Sequence, residues 1–327
     1  MSRHSPEMAG AARSFGMHAP RHDEDEPSLV TLAEVTEIEL LVLRRMREMT
    51  LGDHRSRSQG SGFDLVGLRD WQAGDRVSTI DWPQSTLTNF SPLVVRDFEQ
   101  PGTATLLVVA DASPSTECGT HGVSIAGLVA RAIATLGLSA VFFQDSVALA
   151  TFDGAGRHLA AIRPGIGRAH VMHCLDAYQH RRGLLEVRDA PSLSMTIGSF
   201  MRKTALIAFV SDFLFDEPQG VVDELSLLNV QHDVFIVLVD AAFAFDVSAR
   251  SAGWIDTVDV ETGRTRRMSR AALAGMAGKV RAWQDDVAHR AHEAGLDIVR
   301  FGPEPSANQL ALAEFVAARR LRKVEWR

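Results

Sequence analysis

Residues 103–115 read Thr-Ala-Thr-Leu-Leu-Val-Val-Ala-Asp-Ala-Ser-Pro-Ser, and this stretch decides the fold. Leu106 to Ala110 form a continuous apolar run, too short for a core helix and bracketed by Gly102 and Pro114. Such a run predicts a strand buried on both faces, as in the middle of a parallel sheet covered by helices. The run then ends abruptly in polar atoms. Asp111, Ser113 and Ser115 place three oxygen-bearing side chains just past the strand, the edge where open α/β sheets bind their ligands. Oxygen donors crowded in this way suit a hard divalent cation. The plainer reading is that Asp111 or Ser113 caps the following helix.

Downstream, strands and helices alternate. The pattern predicts a buried helix over 121–143, a hairpin over 147–152 and 158–162, helices over 168–182 and 191–202, and a second buried strand over 204–210 that ends in Ser211-Asp212. A helix over 217–230, a strand over 233–239 and a hairpin over 254–268 follow. Leu273, Met276, Val280, Trp283 and Val287 mark a long amphipathic helix, then come a short strand at 297–301 and a last helix opened by a Ser306/Gln309 capping box. The basic residues Arg319, Arg320, Arg322 and Lys323 fall in its last turns, where cations complement the helix dipole.

This alternation predicts an α/β fold with a doubly wound, mostly parallel sheet. In the strand order 3-2-1-4-5-6, the first and fourth strands flank the topological switch point, so Asp111 and Asp212 are expected to face each other. Two ionised carboxylates ~6 Å apart at an effective dielectric near 20 repel by about 3 kcal/mol. A divalent cation reverses that term. Asp111, Ser113, Ser115 and Asp212 are therefore the expected ligands of a divalent cation.

Upstream, residues 1–27 show little apolar periodicity and read as a disordered tail. Val35, Ile38, Val42, Met46 and Met49 recur at helical spacing, with acidic residues early and arginines late. That helix opens an N-terminal segment over 28–101, and the α/β domain occupies 102–325.

The segment also contains Gly60-Ser-Gly-Phe-Asp-Leu-Val-Gly-Leu-Arg-Asp-Trp-Gln-Ala-Gly-Asp-Arg-Val-Ser-Thr-Ile-Asp-Trp82, then Pro92-Leu-Val-Val-Arg-Asp-Phe98. It resembles the signature of the DUF58 family, with Leu68, Arg69, Trp71, Gly74, Asp75, Ile80, Asp81, Trp82, Arg96 and Phe98 in the family's places. Trp71 stands where a tyrosine is usual, and Ser85-Thr86-Leu87 replaces a Ser-Ala-Arg-like segment. Asp111-x-Ser-x-Ser115 after its strand resembles the metal-ion-dependent adhesion site of von Willebrand factor A domains. Together the resemblances imply a von Willebrand factor A-like domain in a non-enzymatic adaptor, acting with a MoxR-type AAA+ ATPase to assemble or activate client protein complexes. Such sites hold Mg²⁺ or Mn²⁺ through oxygens and commonly add a threonine from the loop before the third major helix; the equivalent loop here, Arg163-Pro-Gly-Ile-Gly-Arg168, has none, which implies an ion held weakly and largely through water. Arg69, Asp75 and Asp81 around Trp71 and Trp82 read as a structural brace or as a partner-docking surface.

Composition narrows the classes further. The chain has 327 residues, 46% hydrophobic and 23% charged, and a formal charge of -7 with dispersed basic residues, which argues against a nucleic-acid footprint. Two distant cysteines, Cys118 and Cys174, suggest a reducing compartment, and with no apolar leader run the expected location is cytoplasmic. Gly122 to Phe143 is nearly long enough to span a bilayer, but Arg131 near its middle favours a buried helix. No phosphate-binding loop, dinucleotide fingerprint or His-Glu-x-x-His pair occurs. His170, His173 and Cys174 lack a fourth ligand and read as a helix face. No catalytic residue is therefore expected. The rival is a Mg²⁺-dependent hydrolase or phosphotransfer enzyme with Asp111 as nucleophile and Asp212 on the metal. It lacks a lysine at the strand ends to stabilise a transferred phosphoryl group, since Lys203 precedes its strand.

Overall fold

The computed structural model describes residues 28–53, 64–72, 80–99, 104–120, 122–153, 157–187, 192–245, 254–258 and 265–325. The expected tail, residues 73–79 of the family signature and the tips of two expected hairpins lie outside these residues. Helix α1 (Leu32–Asp53) buries Val35, Ile38, Val42 and Met46 along one stripe. A capping box opens it. The Glu34 carboxylate accepts from Thr31 N at 2.8 Å, and Thr31 Oγ1 accepts from Glu34 N at 3.2 Å. Ion pairs Glu34–Arg131, Glu39–Arg168 and Arg45–Glu314 at 2.7–2.8 Å join α1 to the sheet unit.

Residues 49–102 form a separate compact unit. In it, β1 (Asp64–Asp70) pairs antiparallel with β2 (Val94–Glu99), and the short helix α2 (Trp82–Leu87) lies between them in sequence. Asp81 Oδ1 accepts from Gln84 N at 3.1 Å and caps α2, while Ser85 Oγ accepts from Val94 N at 2.9 Å to tie the helix to the ribbon.

The larger unit is built on β3 (Thr105–Asp111), whose apolar run is buried throughout. A 3₁₀ turn (Pro114–Glu117) and a tight hairpin, β4 (Gly119–Thr120) and β5 (Val123–Ser124), lead to α3 (Ile125–Phe142). Then come β6 (Ser146–Asp153), β7 (Arg157–Gly165), α4 (Arg168–His180), β8 (Leu185–Glu186), α5 (Leu193–Phe200) and β9 (Leu206–Ser211). The chain continues through α6 (Pro218–Leu228), β10 (Asp233–Val239), the hairpin β11 (Trp254–Val258) and β12 (Thr265–Ser269), α7 (Arg270–Glu293), β13 (Asp297–Phe301) and α8 (Pro305–Glu325).

Seven strands make one sheet in the order β13-β10-β9-β3-β6-β7-β8. β3 lies between β9 and β6 and runs parallel to both, so the switch point falls between β3 and β9 as expected, while β7 runs antiparallel to β6. Leu107, Val109, Ile207, Phe209 and Ile236 belong to a core shared with α5, α6 and α7. α3 packs with α4, α8 and β3, so helices cover both faces, as in a doubly wound α/β fold. Among the described residues α3 alone is long and apolar enough to cross a membrane, and 83% of it is buried in this unit.

Two details differ from expectation. α8 starts at Pro305, whose fixed φ suits a first helical position, so Ser306 sits inside the first turn and does not cap it. Arg319 and Arg320 do not project as solvated dipole partners. Arg320 donates to both oxygens of Asp145 at 2.9 and 3.1 Å, and Arg319 pairs with Asp233 and Asp297, at the edge where the parallel strands begin.

Candidate functional site

The helix-cap reading of Asp111 and Ser113 fails on geometry. The β4–β5 hairpin intervenes before α3, closed so tightly that a Cβ on Gly119 would lie 2.1 Å from Val123 O, and Ser124 caps α3 by accepting from Gly127 N at 3.0 Å. The polar atoms after β3 turn on one another instead. Ser113 N and Oγ donate to Asp111 Oδ1 at 3.0 and 2.7 Å, and Ser113 Oγ lies 3.0 Å from Ser115 Oγ. Ser211, the last residue of β9, donates from Oγ to Asp111 Oδ2 at 2.7 Å. The backbone is held as well: Tyr178 OH donates to Asp111 O at 2.8 Å, and Thr116 Oγ1 to Ser113 O at 2.7 Å.

Asp212 follows Ser211 directly, so the two strand exits converge as the topology required. Its side chain is 2% exposed, against 1% for Asp111. Oδ1 accepts from Leu214 N at 3.0 Å, whereas Oδ2 is buried without a hydrogen-bond partner. A buried acceptor left unsatisfied costs about 1–3 kcal/mol, and more when charged. Phe213 takes φ +57° and donates from N to Ser211 Oγ at 3.0 Å. Burial and then the neighbouring charge of Asp111 push Asp212 up to about 7. Burial also raises Asp111, although the donors from Ser113 and Ser211 oppose it, and the charge of Asp153 raises it further. Among the described residues, no Lys, Arg or His forms an ion pair with either carboxylate.

The donor set is therefore all oxygen. Among the described residues no three His, Cys, Asp or Glu side chains gather for a metal, so any cation here depends on hydroxyls beside the two aspartates. That set fits Mg²⁺ or Mn²⁺ and not zinc, and Asp212 Oδ2 is a buried acceptor without a hydrogen-bond partner. The loop 163–168 needs a different interpretation from the one its sequence position suggested. Because β7 is antiparallel, Gly165 pairs with Val147 near the start of β6, at the sheet edge opposite Asp111. From α4 the site is reached by Tyr178, whose hydroxyl bonds Asp111 O.

His170 Nε2 bonds Val147 O at 2.9 Å, and burial raises the Cys174 thiol to about 12, so both serve the helix face. In the smaller unit Trp71 and Trp82 are exposed, Asp81 is buried as the α2 cap, and Arg69 pairs in register with Val95. Asp75 lies outside the described residues.

The sequence reading missed Ser211, Tyr178, Asp153 and the pair Trp283-Gln284. Gln284 Nε2 donates to Asp212 O at 3.0 Å and Val239 O at 2.7 Å, and Trp283 Nε1 donates to Phe213 O at 2.9 Å. A signal existed for Gln284, since a polar residue sits in register with Val280 and Val287 on the buried stripe of α7.

Residues 67–282, more than half of the chain, match the family described as Protein of unknown function DUF58. The chain belongs to the DUF58 family. The matched region of this DUF58 chain contains both Asp111 and Asp212. No curated protein matches it. Among solved structures, it is similar to an aerotolerance-related membrane protein from Bacteroides fragilis, at 13% identity and a TM-score of 0.39 over 67% of this chain and 99% of that one. The pilus adhesin SpaC from Lactobacillus rhamnosus GG gives 10% identity and a TM-score of 0.39, over 82% of this chain and 36% of the adhesin. A mutant of the PilB minor pilin from Streptococcus sanguinis gives 13% and 0.33, over 69% and 64%.

Proposed function

We propose that this DUF58 chain is a non-enzymatic, metal-dependent protein-binding adaptor. Its von Willebrand factor A-like domain holds Mg²⁺ or Mn²⁺ through Asp111, Ser113, Ser115 and Asp212. One observation supports this most: two carboxylates are buried together at the switch point with hydroxyl donors and, among the described residues, no paired cationic side chain, and one oxygen, Asp212 Oδ2, is left without a hydrogen-bond partner. When bound, the cation supplies an open coordination position for a carboxylate from another protein. The chain's own residues prepare for it. Ser113 and Ser211 fix the two oxygens of Asp111, and Ser113 aligns Ser115 beside it. Few direct ligands imply a dissociation constant near millimolar, about 4 kcal/mol of binding.

An enzymatic role has less support. Both oxygens of Asp111 already accept hydrogen bonds, which blunts a nucleophile, and among the described residues no lysine or arginine is bonded at the site to take up phosphoryl charge. The partner is an acidic residue of a MoxR-type AAA+ ATPase or of its client, and the exposed Trp71 and Trp82 offer a second contact. Retention of the purified ATPase or client on immobilised protein tests the reading. Binding is expected in Mg²⁺, and it is expected to be lost in EDTA and in Asp111→Ala that still unfolds cooperatively. Equal retention under all three conditions contradicts it.

A further inference from the structure

The turn after β9 holds a conformation that relaxes unless something restrains it. Phe213 is fully buried in the left-handed region, which a bulky residue occupies only at a cost, and the unpartnered oxygen of Asp212 sits beside it. Rotation of this turn would relieve both. Two consecutive side chains of α7 oppose that rotation by holding two consecutive carbonyls. Gln284, 2% exposed, uses one amide nitrogen to hold Asp212 O at 3.0 Å and Val239 O at 2.7 Å, which joins the exits of β9 and β10. Trp283 Nε1 holds Phe213 O at 2.9 Å. The rest of this stripe, Leu273, Ala277, Val280, Val287 and Ala291, is apolar and buried, so packing alone does not call for a glutamine here.

We propose that Gln284, assisted by Trp283, is a positioning residue for Asp212: it fixes the backbone that keeps this carboxylate beside Asp111 at the strand exits. The consequence for metal binding rests on the adaptor reading above, whereas the positioning itself does not. Removing the amide donor frees the Asp212 and Val239 carbonyls, lets the left-handed turn relax, and disperses the oxygen set before any cation arrives.

The experiment compares the full-length wild type with Gln284→Leu, which keeps apolar bulk, and with Trp283→Phe, which removes only the indole donor and serves if the first variant does not fold. Ser139→Ala is the control, since it removes a buried hydroxyl bonded to Thr135 O on α3, away from the site. Amide hydrogen exchange of the metal-free proteins and titration with Mn²⁺ alone are both recorded. The amides of Phe213 and Leu214 are expected to exchange about tenfold faster or more in the α7 variants, with α3 unchanged, and Mn²⁺ affinity to fall by a similar factor. The control is expected to change neither. Unchanged exchange at Phe213 and Leu214, acceleration spread evenly over the sheet, or faster local exchange with undiminished Mn²⁺ affinity would each overturn the positioning role. If the wild type itself takes up no Mn²⁺, the metal reading fails, and the exchange data alone decide whether Gln284 positions Asp212.

Discussion

Where the parallel strands begin, Asp145 is buried against Arg320 and the amide of Ala104, and Arg319 lies between Asp233 and Asp297. Where the same strands end, Asp111 and Asp212 are buried at least as deeply, yet among the described residues their donors are hydroxyls and backbone amides. Burying a carboxylate costs several kcal/mol unless a cation or a full set of hydrogen bonds offsets it. The first edge supplies that cation from α8 and becomes part of the frame. The second has, among the described residues, no cationic partner for its two carboxylates at the topological switch point, and this contrast is the ground on which a site is proposed there.

The sharpest way to break the contrast is to make the first edge resemble the second. Arg320→Ala leaves Asp145 buried and unpaired, and urea unfolding is expected to show a loss of about 3–5 kcal/mol. The opposite change at the other edge has the opposite sign. Asp212→Asn removes the repulsion, and the metal-free variant is expected to be more stable than wild type at pH 8 by on the order of 2 kcal/mol.

Burial raises the Asp145 carboxyl as well, with Arg320 and the Ala104 amide opposing it, whereas at Asp212 the neighbouring charge of Asp111 adds to burial. The Asp212 pKa is raised from 3.8 to about 7 in the folded state, so the folded protein binds its proton more tightly than the unfolded chain does. The stability this contributes is fully present below about pH 4 and is lost as pH rises through about 7. The difference between wild type and Asp212→Asn in denaturant unfolding is expected to open across that window. A constant difference from pH 4 to 8 counts against the coupled pair.

Ser113→Ala has a smaller effect, because it removes one hydroxyl bond to Asp111 and leaves the backbone donor and Ser211 in place. A loss of about 1–2 kcal/mol is expected in thermal unfolding, together with weaker Mn²⁺ binding. The smallest effect calibrates the scale: Arg267→Ala breaks the exposed pair with Asp256, and unfolding is expected to be indistinguishable from wild type.

Much of this architecture is legible in the sequence, for reasons tied to particular residues. Leu106 to Ala110 and Ile207 to Val210 announce buried strands because continuous apolar runs of that length have few other uses, and the order of the elements then places Asp111 beside Asp212. The parts that escaped depend on direction or reach. The antiparallel course of β7 moved loop 163–168 to the wrong edge, the small β4–β5 hairpin gave the capping of α3 to Ser124, and long arginine side chains reached from α8 into the sheet. Gln284 escaped because a single polar residue in an amphipathic helix reads as an interruption until its two carbonyl partners are seen.

The most direct test of the central claim is the thermal unfolding of the full chain at pH 8 in EDTA and in increasing Mn²⁺, for wild type and Asp111→Ala. At a metal concentration ten times the dissociation constant, a site that binds only the folded state stabilises it by about 1.4 kcal/mol. The wild-type midpoint is expected to rise and saturate in the millimolar range, and the variant to melt at one temperature throughout. Wild-type melting that is the same in EDTA and in Mn²⁺ would contradict a cation site at this edge.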